Sequence, residues 1–157
     1  MSKTRLAAIF VWLLTSCAPA RNSLTGSLSE IFSLEFDAVE VLKLGCTLRV
    51  DYIRSEVFGE VSPCLLLVDN RRLALRDGAT VDGDSFREAV QVLRVAPTGG
   101  ELPEVESGSM SFDRFTFESG ASVEGSFTVA FVDGHDLHGR FEQILVEPDP
   151  SLECEPR

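Results

Sequence analysis

The chain has 157 residues, with 14 Lys and Arg against 25 Asp and Glu and a formal net charge of −11 at neutral pH. That length holds one compact domain with a sizeable core, and not two. Such an acidic balance repels nucleic acid and anionic headgroups, so no nucleic-acid partner is expected.

The N-terminus is the sharpest feature. Lys3 and Arg5 supply positive charge, and Leu6 to Leu14, "LAAIFVWLL", follows as nine uncharged apolar residues. A bilayer-spanning helix needs roughly 20 such residues, so this run is too short for a permanent span. A basic start, a short apolar stretch and a small-residue cleavage region make a secretory signal. This one ends in Leu14-Thr15-Ser16-Cys17 rather than in the generic A-x-A pattern.

That ending resembles the lipobox of bacterial lipoproteins, in which an aliphatic residue and two small ones precede an obligatory cysteine. The resemblance covers about the first twenty residues. It implies cleavage after Ser16, diacylglycerol on the Cys17 thiol and acylation of the new amino group. A thiol suits this chemistry because it is the most nucleophilic side chain able to form a stable thioether. Two or more acyl chains, at ~0.8 kcal/mol per buried CH₂, give stable attachment where one alone is reversible. In many Gram-negative lipoproteins Asp after the cysteine favours the inner membrane. Here Ala18 follows, so the resemblance points to the outer membrane; in a single-membrane bacterium the anchor would sit on the cell surface.

Removing residues 1–16 leaves 141 residues, with 12 basic against 25 acidic side chains and a net charge of −13. Residues 17–23 then form a lipidated cysteine and a short polar tether, residues 24–147 the domain, and residues 148–157 a C-terminal tail. Three further cysteines, Cys46, Cys64 and Cys154, allow three single-bridge choices in an exported compartment. Cys46 with Cys64 is the expected bridge, since both border predicted strands and Cys154 lies in the tail. The alternative is three reduced thiols, the first two packed as small hydrophobes. No C-x-x-C pair exists, and no metal is expected at these cysteines.

From residue 24 onward, short apolar alternations separated by Gly, Asp, Asn and Pro predict an all-β fold. An antiparallel sandwich or partly closed barrel of about eight strands fits this spacing. "LEFDAVEVLKL" reads as one bent strand or two short ones, and "CTLRVDYIR" as the next. "CLLLVDNRRLAL" reads as two strands joined across Asp69-Asn70. "DSFREAVQVLRV" offers a helix with Ser85 and Glu88 as a capping box. Its β-branched Val90, Val92 and Val95 make the second half a strand. "APTGGELPEVESG" has the composition of a loop.

Val123-Glu-Gly-Ser-Phe127 and Leu137-His-Gly-Arg-Phe141 share an aliphatic-x-Gly-x-Phe pattern fourteen residues apart, with "VDGHD" between them as a turn. A three-residue loop at Asp133-Gly134-His135 would pair Phe131 with Leu137, Phe127 with Phe141 and Val123 with Leu145. It would set all six on one face together with Gly125, Val129 and Gly139. This hairpin reads as core. Its Gly-x-Phe strands loosely resemble those of small bacterial lipoprotein β-sandwiches of unknown function, a resemblance that implies no site.

Candidate chemistry is sparse. His135 and His138, flanked by Asp133 and Asp136, stand three apart, but in a turn and strand their imidazoles should diverge. Asp77, Asp82, Asp84 and Glu88 do not match the EF-hand spacing. "GASVE" around Ser122 lacks the last glycine of a nucleophile elbow. Twenty-five acids make some facing pair inevitable, so carboxylate pairs carry no signal. Arg71-Arg72, the only basic cluster, reads as a turn. No P-loop or dinucleotide loop is present, and neither a cofactor nor a metal is expected.

Three roles are consistent with this sequence. The first is a non-catalytic, membrane-anchored β domain for binding or envelope structure, with a protein or small-molecule ligand left open. The second is a small ligand- or lipid-carrying barrel in the manner of lipocalins. Against it, the only tryptophan, Trp12, leaves with the signal, so a Gly-x-Trp strand is missing. The third is an envelope hydrolase.

Overall fold

The computed structural model describes residues 21–57, 59–97, 100–152 and 154. Nine strands carry the fold: β1 (Ser23–Thr25), β2 (Ala38–Leu44), β3 (Thr47–Glu56), β4 (Gly59–Asp69), β5 (Thr80–Asp82), β6 (Val90–Val95), β7 (Val105–Arg114), β8 (Ser122–Phe131) and β9 (Asp136–Val146). Two short helices, α1 (Asn70–Leu73) and α2 (Gly83–Ala89), and a 3-10 turn at Ser27–Glu30 complete it.

The expected all-β class holds, and the partly closed barrel holds over the two-sheet sandwich. One curled sheet runs β5-β7-β8-β9-β2-β3-β4-β6, forming a half-barrel. Among the described residues all ladders are antiparallel except one. β9 pairs with β1 through Ser23↔Arg140 to Thr25↔His138, then runs parallel to β2 over only Val41↔Leu145 and Leu42↔Val146. This short parallel seam joins the two halves of the sheet.

Side chains alternate in and out along β8 and β9 as a sheet with one covered face requires. Inward residues from every strand meet in one core, among them Leu24, Val41, Leu48, Tyr52, Leu66, Val81, Val92, Phe112, Phe131 and Phe141, all buried. The Tyr52 ring meets Phe36 and Phe127 edge-to-face, and its hydroxyl donates to the Arg140 carbonyl at 2.8 Å. The two ends of the sheet, β5 and β6, are consecutive in the chain except for α2. That helix packs on β5, β6 and β7 and drives Phe86 fully into the core. Very short edges limit unpaired backbone.

The β8–β9 hairpin departs from the expected register by two residues. Phe127 faces Gly139 and Phe141 faces Gly125, while Val129 faces Leu137. The loop is Val132-Asp133-Gly134, closed by Phe131 N–H donating to the His135 carbonyl at 2.9 Å. An even slip leaves every side chain on its expected face, so Phe127, Phe131, Leu137 and Phe141 are still inward. Ring volume is the physical reason. Each phenyl lies over the opposing glycine, where a Cβ at position 139 would stand 2.2 Å from Phe127 Cε1 and one at 125 would stand 2.7 Å from Phe141 Cζ. Two phenylalanines facing each other would leave both glycines uncovered.

Two other local expectations are corrected. The Asp69-Asn70 stretch does not turn between two strands. The Asp69 carboxylate accepts from Arg71 N–H at 3.0 Å and Asn70 Oδ1 from Leu75 N–H at 2.8 Å, which winds the helical turn α1. Ser85 does not cap α2, because the helix begins at Gly83 with Asp82 at its N-cap position. The strand expected after it is β6, and β7 starts inside the stretch expected as loop.

Candidate functional site

Cys17 and the signal expected before it lie outside the described residues. The first strand begins at Ser23, one residue before the expected start of the domain. Asn22 Oδ1 accepts from Glu142 N–H at 2.9 Å, and Arg21 Nε lies 3.9 Å from a Glu142 carboxylate oxygen. Residues 21 and 22 therefore lie beside β9.

The expected Cys46–Cys64 bridge is corrected. Cys46, in the β2–β3 turn, is bonded to Cys154, with Cα atoms 4.6 Å apart at a sequence separation of 108. Cys64 is free and fully buried on the inward face of β4, opposite Tyr52. Cys64 pairs with Tyr52, six residues along the chain from Cys46 and therefore about 20 Å from it at the rise of a strand, which is why the adjacent strands do not bring the two thiols together. Burial pushes the Cys64 thiol and the Tyr52 hydroxyl far above their ordinary ionisation ranges, so both stay neutral. The bond ties the tail back to the domain across the parallel seam. Lys43 and Glu147 reinforce the crossing with an ion pair at 2.9 Å, and Lys43 also lies over the Phe117 ring.

The outward face of β5, β7, β8, β9 and β1 carries two polar rows. One is Thr80, Ser111, Ser126, Arg140 and Ser23; the next is Asp82, Ser109, Thr128, His138 and Thr25. Within the second, Thr128 Oγ1 lies 3.2 Å from His138 Nδ1, and His138 Nε2 lies 3.1 Å from Asp136 Oδ2. Asp136 Oδ1 accepts from Ser27 N–H at 2.6 Å and from the Ser27 hydroxyl at 2.7 Å, while Asp136 N–H donates to that hydroxyl oxygen at 2.9 Å. The Ser27 backbone donor, then its hydroxyl, then His138 hold the Asp136 carboxyl down to about 2.

A hydroxyl, an imidazole and a carboxylate in series have the order used in nucleophilic catalysis. Here the carboxylate latches the 3-10 turn onto β9, and the imidazole sits on an open sheet face with its side chain 46% exposed. Acyl transfer also needs donors aimed at the developing oxyanion. Thr128 lies in a strand paired on both sides, so neighbouring amides are committed to the ladders. Thr128 and Ser27 carried no motif in the sequence. Only their outward positions on correctly paired strands could have identified them.

His135 turns to its own partner, Asp133, at 2.9 Å, apart from the His138 group. Asp77 accepts from Phe115 N–H at 2.5 Å, and Asp84 pairs with Arg87, so that acidic stretch is divided among separate contacts. Among the described residues no group of three His, Cys, Asp or Glu side chains is placed to hold a metal ion. Arg71 and Arg72 both pair with Asp69, beside a shallow polar groove with Glu88 and Gln91. Compared with protein-family models, with curated proteins and with solved structures, the chain finds no match.

Proposed function

We propose that this protein is an exported bacterial lipoprotein, held at the envelope through acylated Cys17, whose half-barrel serves binding or envelope structure rather than catalysis. The supporting observation is the Cys46–Cys154 disulfide. Such bonds persist in oxidising compartments, the destination a lipoprotein signal implies. With two thiols bridged and Cys64 sealed in the core, Cys17 is the cysteine left for modification. Ala18 after it favours the outer membrane.

The inward face supports a binding or structural role over that of a lipocalin-like carrier. Tyr52, Phe86, Phe112, Phe131 and Phe141 belong to one core there, each fully buried. Changing Cys17 to Ala tests the anchor. The variant is expected to keep its signal and to move from the membrane to the soluble fraction. Retention of Cys17→Ala on the membrane with unchanged mass processing overturns the reading.

A further inference from the structure

We propose that the C-terminal end of β9, where Ile144 and Val146 point outward with Leu42 of β2 beside them, is the face that lies against the anchoring bilayer. The inference rests on acylation of Cys17. Outward positions along β9 run Asp136, His138, Arg140, Glu142, Ile144 and Val146. The first four are polar, as an outward strand face in water should be. The last two are apolar and half exposed, at 53% and 50%. Val146 stands next to Leu42 across the seam, so the apolar surface continues onto β2.

Chain geometry identifies the occupant. Arg21 borders the same surface, lining a shallow depression with Ser122, Glu142, Gln143 and Ile144. Three residues, Ala18 to Ala20, separate it from Cys17, and the four residue-to-residue steps reach at most ~14 Å when fully extended. Wherever the acyl chains enter the lipid, Ile144 is therefore held close to the headgroups. Two of the nearby carboxylates are paired, Glu147 with Lys43 and Glu142 with Arg21, while exposed Glu40 lines the same depression as Leu42, Ile144 and Val146. Exposed Val57 and Val132 occupy turns at the opposite end of the sheet, away from the tether.

Because Trp12 leaves with the signal, an introduced tryptophan is the sole one in the mature chain. The acylated full-length mature protein, carrying Ile144→Trp or Val132→Trp, is reconstituted into phosphatidylethanolamine–phosphatidylglycerol vesicles with or without brominated acyl chains. The expected result is that both variants float with the vesicles, and that only Ile144→Trp shows blue-shifted emission quenched by bromine. Flotation with Ile144→Trp unquenched, or with both variants quenched alike, overturns the face while the anchor stands. A blue shift without quenching means that protein covers this surface, and also overturns it. A chain whose intact mass shows unmodified Cys17, and which fails to float, overturns anchor and face together.

Discussion

Phe127 and Gly139 face each other across β8 and β9, and the phenyl ring occupies the volume a side chain at 139 would need. The same relation recurs between Phe141 and Gly125, so the repeated Gly-x-Phe pattern is a reciprocal lock that sets the hairpin register. Gly139→Ala is expected to destabilise the fold by about 1–3 kcal/mol through overpacking. Phe127→Ala should cost roughly 3–5 kcal/mol by leaving a cavity. The two changes combined should cost less than their sum, because the alanine methyl enters space the ring has vacated. Urea unfolding of the three variants checks this, and strict additivity would refute the lock.

Cys46 and Cys154 close a long loop across the shortest ladder of the sheet, two residue pairs between β2 and β9. Replacing both with serine should lower stability by roughly 2–4 kcal/mol, mainly by freeing the unfolded chain. Cys64 should resist alkylation in the folded protein and react only on unfolding, since the core shields it and keeps it as the thiol. Urea unfolding of the double serine variant checks the first point, and peptide mapping after alkylation under non-reducing conditions checks the second. Rapid labelling of Cys64 in the native state contradicts this assignment.

What the sequence made legible was local and periodic. Alternation put Phe127, Phe131 and Phe141 on the correct face even with the register two residues out, because parity survives an even slip. The β-branched run after Ala89 marked where helix gives way to strand. Long-range relations were not legible. Nothing near Cys46 signals a partner 108 residues away, and nothing in β9 announces that it changes neighbour from β1 to β2 halfway along. Asp69-Asn70 misled for a different reason: side chains that favour turns also cap helices, and tertiary context decides between them.

Asp136 makes acid sensitivity predictable in direction. Its folded carboxyl is held at about 2 against an ordinary 3.8, so the Ser27 latch contributes fully above the ordinary value. That contribution fades as pH falls from about 4 towards 2 and is gone once the folded carboxyl is protonated. Asp136→Asn retains an acceptor for Ser27 but carries no charge. It should weaken the fold at neutral pH and flatten the stability profile between pH 4 and 2. Denaturant midpoints measured across that window provide the check; an acid limb as steep as wild type's would assign the loss to other carboxylates.

Phe86 on α2 lies against Gly108 of β7, where an added Cβ would stand 2.3 Å from Phe86 Cε1. Because α2 connects the two edge strands, this ring fastens the open side of the half-barrel from within. Phe86→Ala should cost about 3–5 kcal/mol by the cavity it leaves. Its effect should also be uneven: amides of β5 and β6 should exchange faster by local opening, while the centre of the sheet follows global unfolding alone. Gly108→Ala pushes the same ring outward from the opposite side and should reproduce that local pattern at smaller cost. Native-state hydrogen exchange separates the two cases. Uniform acceleration across all strands in both variants would mean that α2 decorates the sheet rather than closing it.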